Sequence, residues 1–295
     1  MPIYLILIFI FLFGLIFGSF LNCLIWRGHK KIPLIPFVKA GNKWNRSYCP
    51  KCKKQIAWYD NIPVLSFIML GGKCRQCKQS ISWQYPVVEL ATGLLFAAAF
   101  LNNFEFSQLC LAWQAQGILN FESIFNDLIF NNSIKIHNSK LIIQLLRDFF
   151  LISVMIVIFI YDLRWYLILD IVTLPACLVM LIFNLSLGFS WWNLLISGII
   201  GGGFFLIQLI ISKGKWIGGG DIRLGLLIGL SLGWPGGLVA IIISYFIGSI
   251  AGTGLILAGK KQWDSEVPLG IFLTVGAIIT LFWQEQILNW YLNIF

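Results

Sequence analysis

"IRLGLLIGLSLGWPGGLVAIIISYFIGSIAGTGLILAG", residues 222–259, carries one charged side chain, Arg223, in its whole length. It reads either as one long apolar stretch or as two short helices broken at "WPGG". Flanking charge decides between them. Lys213, Lys215 and Arg223 stand at its start, and Lys260 and Lys261 follow it. Basic residues are retained on the cytoplasmic side of a membrane, so an even number of crossings must separate the two clusters. Two helices satisfy this and one does not. Their glycines allow close helix packing, or local unwinding where protein surrounds the backbone.

The same logic extends outward. The chain has 295 residues, 59% hydrophobic and 11% charged, with mean hydropathy +0.86. A soluble domain carries about 25% charged residues, so the class is a polytopic membrane protein. Eight spans are expected, near 3–25, 86–102, 142–161, 166–187, 191–212, 222–234, 237–258 and 268–290. The first, "IYLILIFIFLFGLIFGSFLNCLI", has no basic region before it and no small-residue cleavage site after it, so a retained helix is expected rather than a signal peptide.

Of 21 Lys and Arg, 12 lie between Arg27 and Lys78. Topology accounts for this concentration and for the net charge of +9, and no nucleic-acid partner is expected. Residues 27–85 become a cytoplasmic domain, and both termini become extracytoplasmic. Arg164 and the clusters at 213–223 and 260–261 fall inside, whereas Lys135, Lys140 and Arg147 fall outside. Residues 103–141 are Asn-rich and read as an extracytoplasmic excursion with a short interfacial helix around 107–130. The organisation expected is a first helix over 1–26, the loop domain over 27–85, a second helix and excursion over 86–141, and a six-helix membrane core over 142–295.

The loop domain holds Cys49, Cys52, Cys74 and Cys77 as two CxxC pairs, 21 residues apart. Disulfides are rare in the cytoplasm. Four thiolates in paired knuckles suit a tetrahedral, structural Zn²⁺ and leave no open position for catalysis; a redox dithiol is the competing reading. Lys51, Lys53, Lys54, Lys73 and Arg75 flank the pairs and offset a net-negative metal–thiolate centre. Cys23, Cys110 and Cys177 are isolated and read as packing residues. Two acids of this region, Asp60 in "WYDN" and Glu89 at the start of the second span, read as structural or functional alike.

"GGGD", residues 218–221, then places Asp221 beside lipid, where an ionised Asp costs roughly 2.5–3.5 kcal/mol. Asp162, in "YDLRWYLILD", sits at the cytoplasmic end of the third span, and Asp221 at the cytoplasmic start of the sixth. Two such carboxylates can meet at one depth. Close together in a dry site they share a proton. The ionised one then takes a proton from water while the protonated one polarises a scissile carbonyl. The three glycines are expected to turn the backbone sharply beside Asp221. Two other readings stand: ion pairs of Asp162 with Arg164 and of Asp221 with Arg223, or an acid pair in a proton-coupled transporter. Asp170 reads as a helix cap or a structural partner.

Taken in order, "GSFLNCLIWR" (18–27), the paired CxxC loop, "WYDNIPVLS" (58–66), "ISWQYPVVEL" (81–90), Asp162 before "LRWYLILD", and "GGGD" (218–221) resemble the bacterial type IV prepilin peptidases of the GxGD aspartic protease class. The resemblance covers nearly the whole chain. It implies an enzyme of the bacterial inner membrane that removes the short basic leader of prepilins and pseudopilins after glycine, at the cytoplasmic face. It also implies methylation of the new N-terminal residue with S-adenosylmethionine. Asp162 and Asp221 match the family's catalytic pair, and the four loop cysteines match its zinc ligands. The chain departs from the family at Leu169, where Pro is common, at Gln84, where a basic residue is common, and at Gly71, where Arg is frequent. No Gly-rich nucleotide-binding motif marks a site for the methyl donor.

Overall fold

The computed structural model describes residues 3–30, 47–103, 132–259 and 267–293. Cys110, Lys260, Lys261 and the helix expected around 107–130 lie outside the described residues. The described chain is almost entirely helical and contains no strand, only the isolated bridges Tyr48–Gln55 and Lys73–Ser80. It divides into two compact units, Met1–Phe100 and Leu101–Phe295.

The first unit contains α1 (Ile3–His29), the cysteine loop, the short α2 (Leu65–Met69) and α3 (Gln84–Asn103), which runs on past its boundary. Lipid is as apolar as leucine, so membrane helices are held by close packing and hydrogen bonds rather than by the hydrophobic effect. Gly14 and Gly18 of α1 supply the close packing. A Cβ on Gly14 would lie 2.7 Å from Cα of Gly93, and one on Gly18 would lie 2.7 Å from Cα of Glu89. Hydrogen bonds add to it: the Asn22 amide donates to the Tyr85 carbonyl at 3.1 Å and accepts from Gln84 at 3.2 Å.

The second unit contains α4 (Asn132–Trp165), α5 (Asp170–Leu187), α6 (Trp191–Ser212), α7 (Gly219–Leu232), α8 (Gly236–Leu257) and α9 (Leu269–Leu292). Every span expected from the sequence has its helix, and the largest difference in extent is at α4. α4 begins ten residues earlier than expected, because the polar stretch from Asn132 continues the helix. α7 has only 14 residues, about 21 Å of helix against a hydrocarbon core of about 30 Å. Seven helices among the described residues are long and apolar enough to cross a membrane, and α7 is not one of them.

α7 lies at the centre of its unit, packed on α5, α6, α8 and α9, with Leu224, Leu227 and Ile228 fully buried. Glycine makes its approach to α6 possible. A Cβ on Gly225 would collide with the Gly201 carbonyl and the Phe205 ring, and one on Gly229 with the Ser197 carbonyl. The chain leaves α7 through Gly233, Trp234 and Pro235, a non-helical stretch whose polar backbone needs partners inside a membrane. Two asparagines provide them. The buried Asn184 amide donates to the carbonyls of Leu230 (2.6 Å) and Ser231 (2.9 Å). Asn193 accepts from the Trp234 N–H at 2.9 Å and donates to its carbonyl at 3.1 Å. Asn184→Leu keeps the volume and orphans both α7 carbonyls, so it is expected to destabilise the unit by about 1–3 kcal/mol. A thermal unfolding midpoint equal to wild type, measured in detergent, would contradict this.

Arg147 and Asp148, near the start of the same bundle, form a buried polar knot. Their side chains pair at 2.7 Å, Asn103 donates to Asp148 at 2.7 Å, and Arg147 reaches Asn184 at 3.4 Å. Charges at membrane depth survive by this kind of pairing.

Candidate active site

Asp162 lies three residues before the end of α4, and Asp221 lies in the first turn of α7. Both carboxylates are buried, with their residues 5% and 8% exposed. Each is bound by a backbone N–H at a helix N-terminus. Asp221 reaches back to its own N-cap, accepting from the Gly218 N–H at 3.0 Å. Asp162 accepts from the Ile271 N–H, in the first turn of α9, at 3.1 Å. A helix N-terminus favours negative charge, which offsets part of the cost of burial.

The loop between α4 and α5 brings the two sites together. Ile168 is its central contact. A Cβ on Gly220, next to Asp221, would lie 2.8 Å from the Ile168 Cβ; one on Gly270 would lie 3.3 Å from the Ile168 Cδ1 and 2.7 Å from Oδ2 of Asp162. Ile168 thus packs against Gly220 beside Asp221 and against Gly270 beside Asp162, which gathers the two carboxylates around one side chain. Asp221 does not pair as the ion-pair reading expects: Arg223 pairs instead with Asp170, the first residue of α5. Asp170 is thus a structural partner.

The triple glycine works differently from the sharp turn expected. None of its residues has a positive φ; Gly218 is extended and Gly219 and Gly220 are already helical. Gly220 is required by the contact with Ile168, whereas a Cβ on Gly219 would meet nothing within 4 Å. The backbone beside Asp221 therefore has open space next to it. Leu169, where the resemblance leads one to expect Pro, is the N-cap of α5 with φ −80°, an angle close to that of proline.

Sequence reasoning missed Gly270 and the Ile271 N–H, which hold Asp162 from a helix more than a hundred residues away. The signal available was "PLG" at 268–270, a proline and glycine opening a helix.

In the first unit the four loop cysteines converge. Their sulfurs all lie within 4.8 Å of one another, and Cys49 Sγ is 3.9 Å from Cys77 Sγ. Four sulfurs each about 2.3 Å from a tetrahedral ion stand about 3.8 Å apart, so the cluster fits a metal. Its two halves repeat one backbone pattern. The Lys53 N–H donates to the Cys49 carbonyl at 2.8 Å, and the Lys78 N–H to the Cys74 carbonyl at 2.9 Å, with Lys53 and Lys78 both at positive φ. The thiols are free, as are the Cys23 and Cys177 thiols.

Asp60 is structural. Arg75, beside Cys74, grips it with two nitrogens at 2.8 and 2.9 Å and lies over the Tyr59 ring at 5.4 Å. That guanidinium holds the Asp60 carboxyl below the usual carboxylate range. Glu89 is buried and accepts the Val64 N–H at 2.7 Å. Val64 has φ 59° and ψ −49°, a rare conformation for a β-branched residue, and the bond to Glu89 helps to hold it.

Residues 12–103 match the bacterial peptidase A24 N-terminal domain, and residues 149–253 match the type IV leader peptidase family. The prepilin leader peptidase/N-methyltransferase of Pseudomonas aeruginosa is 30% identical over 304 residues, covering 96% of this chain and 92% of the relative. The protein of that name from Stutzerimonas stutzeri is also 30% identical, covering 95% and 91%. The one from Aeromonas salmonicida is 28% identical, covering 96% and 93%. No solved structure matches the chain. The chain belongs to the type IV leader peptidase family, whose members are membrane aspartic proteases. The transporter reading has no support.

Proposed function

We propose that this protein removes the leader peptides of prepilins and pseudopilins with Asp162 and Asp221 as its catalytic pair. The observation that carries the proposal is the gathering of two buried carboxylates about Ile168, each bound by a backbone N–H at a helix N-terminus. One carboxyl is protonated and donates to the scissile carbonyl oxygen. The other, ionised, removes a proton from water as its oxygen attacks the carbonyl carbon. The tetrahedral intermediate collapses when the leaving nitrogen receives that proton and the C–N bond breaks. The open space at Gly219 gives an extended substrate backbone room beside Asp221, and the substrate's own apolar helix remains in lipid.

The names of the relatives extend the proposal to methylation of the new N-terminus, with S-adenosylmethionine as donor. No described residue is assigned to that donor, and no step is derived through it. Cleavage takes place after glycine at the cytoplasmic face of the inner membrane. The residue ranges are 27–85 for the cytoplasmic loop, 86–141 for the second helix and excursion, and 142–295 for the peptidase core. The helix of 1–26 starts outside, and both termini are extracytoplasmic.

Mass spectrometry of a prepilin incubated with the enzyme and S-adenosylmethionine tests both activities. Loss of the leader and gain of one methyl group are expected; an intact prepilin would reject the assignment.

Zn²⁺ is the metal proposed for Cys49, Cys52, Cys74 and Cys77, in a structural role. Structural zinc in small domains contributes apparent binding energies of about 10–16 kcal/mol. Cys74→Ser is therefore expected to release the metal and destabilise the loop domain. Elemental analysis finding no zinc in the purified wild type would contradict this.

A further inference from the structure

We infer that the cysteine-loop domain rests on the membrane, with α2, Trp58 and Trp83 inserted into an anionic lipid surface. The loop carries large apolar side chains that its own fold leaves uncovered. Trp58 is 80% exposed, Ile68 67%, Met69 74% and Trp83 73%, and Leu65 is half-exposed. In a small domain outside a bilayer, an apolar set of this size marks an interaction surface.

Its depth identifies the occupant. Trp83 immediately precedes α3, a membrane-spanning helix. The Phe67 ring of α2 packs on Trp83 with centroids 5.0 Å apart. The Val64 N–H at the start of α2 is bound to Glu89, five residues into α3, about 7.5 Å along its axis. α2 is thus tied at its start and its middle to the opening turns of a span. Interfacial helices bury their apolar face about 5–10 Å into the boundary between headgroups and acyl chains. α2 lies alongside that depth, and tryptophan at both ends of the segment suits the same zone.

Charge selects the lipid. Between Ser47 and Trp83 the loop carries Lys51, Lys53, Lys54, Lys73, Arg75 and Lys78 against one acid, Asp60. A basic segment beside a span is drawn to anionic headgroups. The inference does not depend on the catalytic assignment.

The test uses the full-length protein in nanodiscs of phosphatidylethanolamine and phosphatidylglycerol, with the photoreactive residue p-benzoylphenylalanine at position 68, at position 69 or, as a control, at position 76. Gln76 is exposed on the second cysteine knuckle. After irradiation, intact-mass spectrometry is expected to show phospholipid adducts at 68 and 69, several times more abundant than at 76. Adduct yield should fall when phosphatidylcholine replaces phosphatidylglycerol; an unchanged yield would overturn the anionic preference. Absence of lipid adducts overturns the inference. So do crosslinks within the chain, or to an added prepilin, in their place, because they would show a protein segment covering the patch.

Discussion

Asp162→Asn and Asp221→Asn are each expected to reduce prepilin cleavage by a factor on the order of 10³ or more, with the protein still inserted in the membrane. The amide is almost the same size as the carboxyl, and its oxygen can still accept the backbone N–H that binds each side chain. Neither helix N-terminus loses its partner, so the fold should remain. What disappears is proton transfer. An amide can neither take a proton from water nor hold one for the carbonyl oxygen, and acid–base assistance contributes about 10²–10⁴ per group. Because the two acids work as one unit, the double variant should be scarcely worse than either single one. The measurement is a cleavage time course on a purified prepilin, at equal amounts of enzyme. Substantial activity in either variant would show that the pair does not perform the chemistry.

Much of this was legible in sequence because membranes impose strong rules. The apolar runs located the seven long helices among the described residues and the short α7, and flanking lysines and arginines divided residues 222–259 at "WPGG", where the chain does break. Cysteine spacing alone indicated a metal cluster. Asp162 and Asp221 stood out because carboxylates are costly beside lipid. α7 is as short as the expected span of 222–234 implied, since Gly233 and Pro235 end the helix while apolar residues continue. The rest depended on tertiary partners. The pairing of Arg223 with Asp170 competes with a neighbouring acid, Asp221, that is nearer in sequence. The start of α4 was hidden by polar residues, from Asn132 onward, that carry no membrane signal yet remain helical. Asn184 and Asn193, which satisfy the backbone at the end of α7, look like ordinary polar residues until the carbonyls they serve are known.

Gly270→Ala tests the geometry without changing any charge. The added Cβ would lie 2.7 Å from Oδ2 of Asp162 and 3.3 Å from Cδ1 of Ile168. The first distance is closer than real Cβ atoms approach, so either Asp162 rotates or the start of α9 withdraws. Both movements stretch or break the bond from the Ile271 N–H in α9 and shift the carboxyl relative to Asp221. Misplacement of a catalytic group by about 1 Å can cost about 10²-fold in rate. A fall in kcat of about 10- to 100-fold is therefore expected, with KM for the prepilin little changed because the substrate is held elsewhere. Gly254→Ala is the control: it adds the same methyl group to α8, where nothing lies within 4 Å, and should retain wild-type cleavage. If Gly270→Ala also cleaves at the wild-type rate, the position of Asp162 against α9 does not matter to the reaction. If instead kcat falls while the unfolding midpoint holds, the last helix acts in catalysis through one backbone N–H, by fixing where the first carboxylate stands.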